Sequence, residues 1–264
     1  MKLKLLFLVV FLFLCWLGQA HEFWMQPNRF RFTAGEALTL GFSVGEDFIR
    51  EPWKFKKDKI EKLEWHHAGG SADLRDRIAE GVDQNVTVSL PEEGTHMVVI
   101  QTHDSFIALD GERFNAYLEE DGLDEALDFR SKNNLPGDSA RELYSRYSKT
   151  LVQVGARTDE TYKKVVGLPI EIIPLQNPYA LKVGDRIRFK ILFRGQPLFG
   201  ALVKIFNRHN NRTTIQNIYT QQDGTIETTV SNNGSWLVGV VKIVASGDRR
   251  ADWKSYWGSL VFGI

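Results

Sequence analysis

Period-two alternation of apolar and polar residues in both outer thirds of the chain, and a helical spacing confined to the middle, predict a mainly β protein. The expected architecture is two β-sandwich domains with a helical connector. The expected boundaries are 1–20 for a leader, 21–111 for an N-terminal β domain, 112–166 for the connector and 167–264 for a C-terminal sandwich.

The leader comes first. Lys2 and Lys4 precede an unbroken apolar run from Leu5 to Leu17, and Gly18-Gln19-Ala20 is a small-x-small cleavage site. That pattern is a secretory signal peptide, short of the roughly 20 apolar residues that span a bilayer. Cleavage after Ala20 makes His21 the first residue, leaves no transmembrane segment and points to the periplasm. Cys15, the single cysteine, leaves with the leader, which removes disulfides and thiolate chemistry from the mature chain.

In the N-terminal part, Phe30 and Phe32 alternate with Arg29, Arg31 and Thr33, and Ala34-Gly35-Glu36 turns the chain. Leu38, Leu40, Phe42 and Val44 then alternate with small and polar residues, as do Val86, Val88 and Leu90 before the turn Pro91–Gly94. These are half-buried strands. The lysines from Lys54 to Lys62 read as a solvated stretch.

From Glu112 the period changes. Phe114, Tyr117 and Leu118 share one helical face and Gly122 is a stop. Asp124 to Arg130 adds a turn or two. Ser139-Ala140-Arg141-Glu142 has the form of a capping box. Leu143, Tyr144, Tyr147, Leu151 and Val154 follow as an apolar stripe, so a second helix is expected there with Arg141, Arg146 and Lys149 on its polar face. Strands return from Gly167. Ile187, Phe189, Ile191 and Phe193 alternate with basic residues, Asp223-Gly224 is a hairpin signal, and Trp236–Val244 and Tyr256–Ile264 end the sequence. About seven short strands with turns every 8–12 residues mark a sandwich.

The chain has 33 Lys+Arg and 33 Asp+Glu, so its formal charge is zero. A nucleic-acid partner is not expected without a basic excess. No Gly-x-Ser-x-Gly elbow, phosphate loop, dinucleotide fingerprint or His-Glu-x-x-His motif occurs, and no catalytic role is expected. Glu119-Glu120-Asp121 reads as solvated charge at a helix end. Trp253, Tyr256 and Trp257 read as packing residues, as do Met25 and Met97.

His21 is the most informative residue. As a mature N-terminus it offers an α-amine and an imidazole, two nitrogens able to chelate a transition metal. The other histidines are His66, His67, His96, His103 and His209, with no His-x-His or His-x3-His spacing among them. A site therefore has to be assembled from distant segments, with His103, His67 or His96 joining His21. His103, beside Asp104 at a strand end, is the first candidate.

The strings HEFWMQP (His21–Pro27), FNAYLEEDGL (Phe114–Leu123), RELYSRYSKTLVQVG (Arg141–Gly155), GLPIEIIPLQNPYAL (Gly167–Leu181), GQPLFGALV (Gly195–Val203) and DWKSYWGSLVF (Asp252–Phe262) occur in this order. In order and spacing the chain resembles an exported bacterial domain-of-unknown-function family described as the periplasmic component of cobalt/nickel uptake systems. The resemblance implies a non-catalytic protein with an immunoglobulin-like or transthyretin-like C-terminal sandwich. It also implies a nickel or cobalt ion as ligand and a membrane metal transporter as partner. The start His21-Glu22-Phe23-Trp24 matches the family's mature start. Where members often carry Val-His-Met, this chain has Val241-Lys242-Ile243. Two other readings remain open: a protein- or glycan-interaction module without metal, and a copper-binding redox protein using the N-terminal histidine chelate.

Overall fold

The computed structural model describes residues 22–81 and 84–264. The expected leader and the candidate ligand His21 lie outside the described residues. The chain is mainly β. Its first strands are β1 (Glu22–Pro27), β2 (Arg31–Phe32), β3 (Ala37–Gly45), β4 (Glu51–Pro52), β5 (Ile60–His67), β6 (Gly70–Asp73), β7 (Asn85–Ser89), β8 (Gly94–Thr102) and β9 (Ser105–Leu109). Two helices follow, α1 (Gly111–Glu120) and α2 (Asp124–Lys132), then β10 (Ala140–Val154). The remaining strands are β11 (Ile170–Pro174), β12 (Arg186–Phe193), β13 (Gln196–Pro197), β14 (Leu202–His209), β15 (Arg212–Tyr219), β16 (Thr225–Thr229), β17 (Ser235–Ala245) and β18 (Trp253–Gly263).

The helix expected from Ser139 to Val154 is a strand. β10 pairs in parallel with β18, from Glu142↔Trp253 to Thr150↔Val261, and antiparallel with β8 and β9. Its neighbours cover both faces, so the period-two signal is erased. The buried residues Glu142, Ser145, Ser148, Lys149, Thr150 and Gln153 supply polar side chains where a buried strand is ordinarily apolar. Each is satisfied inside: Ser145 by Asp104 at 2.5 Å, Ser148 by Ser259 at 2.7 Å, Lys149 by Glu171 at 2.5 Å, Gln153 by the Arg157 carbonyl at 2.8 Å. Aromatic and β-branched residues (Tyr144, Tyr147, Thr150, Val152, Val154) also favour the extended chain. Glu142 is therefore not a capping residue; it is buried against Ser255.

β10 joins the two ends of the chain in one ten-stranded sheet, ordered β15-β14-β17-β18-β10-β8-β5-β6, with β2 and β9 also paired to β10. A four-stranded sheet of β1, β3, β4 and β7 covers one face at the N-terminal half. Phe23, Met25, Leu38, Leu40, Val86 and Val88 meet Val98, Ile100, Val152 and Val154 there. A second four-stranded sheet of β11, β12, β13 and β16 covers the opposite face at the C-terminal half. Ile170, Ile187, Phe189 and Ile226 meet Met97, Leu151, Val203, Val238 and Phe262 there. Consecutive β8 residues thus enter different cores, Met97 one and Val98 the other. Met25 and Met97 are fully buried, as packing residues are.

The helices cap part of the face that carries β1. Phe114, Tyr117, Leu118, Leu123 and Ala126 pack on Val241, Ile243 and Trp253. Asp110 caps α1 by accepting the Arg113 amide at 2.9 Å. Gly122 ends it at φ 62°, where a Cβ would meet Leu202 at 2.8 Å, so the stop requires glycine.

Candidate functional site

β1 is an edge strand of its own sheet, and its outer carbonyls need donors. Hydroxyls of the central sheet supply them. Ser259 donates to the Phe23 carbonyl at 2.6 Å and Thr150 to the Met25 carbonyl at 2.7 Å. This lays the start of β1 beside the helical cap and leaves a cleft between them. Glu22, Phe23, Asp121, Lys204, Gly239 and Trp257 line it.

Asp121 arrives there because Gly122 turns the chain inward between the buried Leu118 and Leu123. The sequence reading of Glu119-Glu120-Asp121 as solvated charge is wrong for Asp121, which is 5% exposed. Lys204, on β14 between the buried Val203 and Ile205, approaches Asp121 Oδ1 at 2.7 Å and Glu120 Oε1 at 3.7 Å. Asp121 Oδ2 is buried and has no hydrogen-bond partner among the described residues. Burial pushes the Glu22 carboxyl up to about 7 against the attraction of Lys204. Burial also pushes Asp121 up to about 6, again opposed by Lys204. The free space is about 20 Å³, the scale of one water-sized occupant. An organic substrate needs several hundred Å³.

Behind the cleft, Trp257 stacks on Tyr117 at 5.7 Å and donates from Nε1 to Ser255 Oγ at 2.9 Å. Ser255 in turn donates to Glu142 Oε1, with Tyr117 OH at 3.5 Å from the same oxygen. Burial pushes Glu142 up to about 7, and the Ser255 and Tyr117 hydroxyls oppose that rise.

The described candidates His67, His96 and His103 are not gathered here. His67 and His96 face each other across β5 and β8, their rings stacked at 5.4 Å, and Trp65 stacks on both. Trp65 Nε1 donates to His96 Nδ1 at 3.0 Å, so His96 carries its proton on Nε2 and donates it to the Glu92 carbonyl at 2.9 Å. Both His96 nitrogens are thereby committed, and burial pushes its pKa down. His67 Nδ1 is held by the Glu92 carboxylate. His103 is exposed, 3.7 Å from Glu61. At about 3.3 Å per residue, the seven positions from His96 to His103 along β8 span about 23 Å, so one ion cannot reach both. Asp104, beside His103, pairs instead with Lys254 and Ser145. Lys242 pairs with Glu125 of α2 at 2.5 Å. Among the described residues, no three His, Cys, Asp or Glu side chains form a metal-ligand group.

A family model for a domain of unknown function, DUF4198, matches residues 18–243. The chain belongs to this family. No curated protein matches the DUF4198 chain. Among solved structures, a mutant of Salmonella alpha-2-macroglobulin aligns over 92% of this chain and 15% of its own, at 13% identity and TM-score 0.25. Dimeric latent PorU from Porphyromonas gingivalis aligns over 89% and 20%, at 13% identity and TM-score 0.19. A tetra-tandem repeat from a large adhesion protein aligns over 92% and 49%, at 9% identity and TM-score 0.21. The DUF4198 chain spans less than half the length of each.

Proposed function

We propose that this DUF4198 protein is exported to the periplasm and binds one divalent transition-metal ion, nickel or cobalt, for delivery to a membrane transporter. The ion's place is the cleft at the start of β1. The observation that carries this reading is Asp121, whose buried Oδ2 has no partner among the described residues and which lines, with Glu22, a cleft of single-ion size. His21 is bonded to Glu22, so its α-amine and imidazole, once the leader is removed, are the nearest nitrogen donors in sequence. Two nitrogens and one or two carboxylate oxygens suit borderline divalent ions. Lys204 balances the carboxylates before the ion enters, and protons compete with the ion for every donor. The small cleft supports binding rather than catalysis on an organic substrate. No helix among the described residues is long and apolar enough to cross a membrane, so the transporter is a separate partner in this reading.

The test is calorimetric titration with nickel, cobalt, copper and zinc of the protein that begins at His21. Stoichiometric binding is expected, at least tenfold weaker in Asp121→Asn and lost in His21→Ala and in a form with a residue added before His21. Binding indifferent to all three changes, or no binding below millimolar, overturns the reading. Preference for copper with peroxide-dependent chemistry moves the assignment to a redox protein. A second reading, an interaction module, is favoured by edge strand β15, which exposes Ile215 and Tyr219. It expects partner capture unaffected by His21→Ala.

A further inference from the structure

A different side chain on the same face of the central sheet lacks a counterpart. Arg146 leaves β10 beneath Phe23, the residue after Glu22. Its guanidinium carbon lies 5.2 Å from the Phe23 ring, 5.4 Å from Trp53 and 5.6 Å from Tyr144. Aromatic faces steady a cation but accept none of its five N–H donors in a strong hydrogen bond. No ion pair or side-chain hydrogen bond engages the Arg146 fork among the described residues, and Nη1 is buried without any partner. Arg130 shows how this fold ordinarily satisfies a sunken arginine. It donates to Asn115 Oδ1 at 2.8 Å and to the Leu135 and Asp138 carbonyls at 2.7 Å each. The exposed Arg141 and Arg250 pair with Asp252 and Asp248. Arg146 stands apart from all of these.

A buried guanidinium without an acceptor is costly unless something supplies one. Its fork matches a planar oxyanion bidentately. The surroundings are built. Trp53 stacks on Phe55 at 4.4 Å and meets Phe23 edge-on at 4.9 Å, which fixes the rings. Arg146, Trp53 and Tyr144 are each partly exposed, while Arg146 Nη1 itself is buried. One cation, framed by Phe23, Trp53 and Tyr144 with no second cation among them, matches a monoanion better than a phosphate dianion.

We propose that Arg146, framed by Phe23, Trp53 and Tyr144, anchors a binding site for a small carboxylate, with the rings receiving an apolar or flat body attached to it. The assignment is independent of the metal reading, because none of these four side chains is a proposed metal donor.

The experiment is calorimetric titration of the exported protein, stripped of metal with a chelator, using acetate, benzoate and inorganic phosphate. Benzoate is expected to bind at least tenfold more tightly than acetate, and phosphate more weakly than benzoate. Arg146→Lys keeps the charge and loses the fork; it should weaken benzoate at least tenfold. Trp53→Ala should narrow the difference between benzoate and acetate. Thermal melting confirms that each variant is folded, and Arg146→Met gives a charge-free control. Benzoate binding unchanged in Arg146→Lys and Arg146→Met overturns the site. So does the absence of saturable heat with either carboxylate. Phosphate binding more tightly than both carboxylates overturns the ligand class.

Discussion

Glu142 is a carboxyl held among hydroxyls and rings, and its proton has a consequence for stability. Its folded pKa, about 7, lies above the ordinary 4.5 because burial disfavours the charge. Between pH 4.5 and about 7 the folded protein keeps a proton that the unfolded chain releases. The stabilisation is therefore complete below the unfolded value and is lost as pH rises through the folded one. Glu142→Gln, which stays neutral, should flatten that part of the stability–pH curve and be the more stable form at pH 8 by roughly 3 kcal/mol. Urea denaturation at pH 5 and pH 8 measures it; equal slopes in both proteins would show that Glu142 titrates normally. Few of these residues were legible beforehand. Asp121 looked like one of three acids at a helix end. The available hint was the Gly122 stop between two buried leucines. Lys204 sat as a lone charge in the apolar run Leu202–Phe206, which is the stronger signal of the two.

At the scale of the element, β10 carries the main lesson. Its Leu, Tyr and Val positions match a helical stripe by spacing, and its first residues match a capping box. The alternation that would have revealed a strand is missing because both faces are buried and both carry polar side chains. Strands with one wet face, such as β3 and β12, were legible for the opposite reason. The Asp223-Gly224 turn was legible too: Gly224 adopts φ 75° and Asp223 accepts the Thr225 amide at 3.0 Å. Lys149 and Glu171, each 2% exposed at the side chain, bind β10 to β11 at 2.5 Å, and Glu171 also accepts the Val166 and Gly167 amides. Lys149→Met leaves that carboxylate buried without its cation and should cost about 3–5 kcal/mol. Pairing it with Glu171→Gln should recover much of the loss. A double variant no more stable than Lys149→Met alone would mean that packing, not charge, holds the two strands.

At the scale of the molecule, the two outer sheets enclose two cores, but no joint separates them. They press on opposite faces of one shared sheet, and β10 belongs to both. The two halves should therefore melt in a single transition, with calorimetric and van't Hoff enthalpies in agreement. Two resolved transitions would show that the shared sheet does not couple them. The placement of β18 also orders events in time. It enters the sheet between β17 and β10, more than a hundred residues after the strand it pairs with in parallel. β10 thus meets its parallel partner only after more than a hundred further residues, and contacts this distant close slowly. Until β18 arrives, one flank of β10 is a row of backbone donors and acceptors waiting for a strand far away in the sequence.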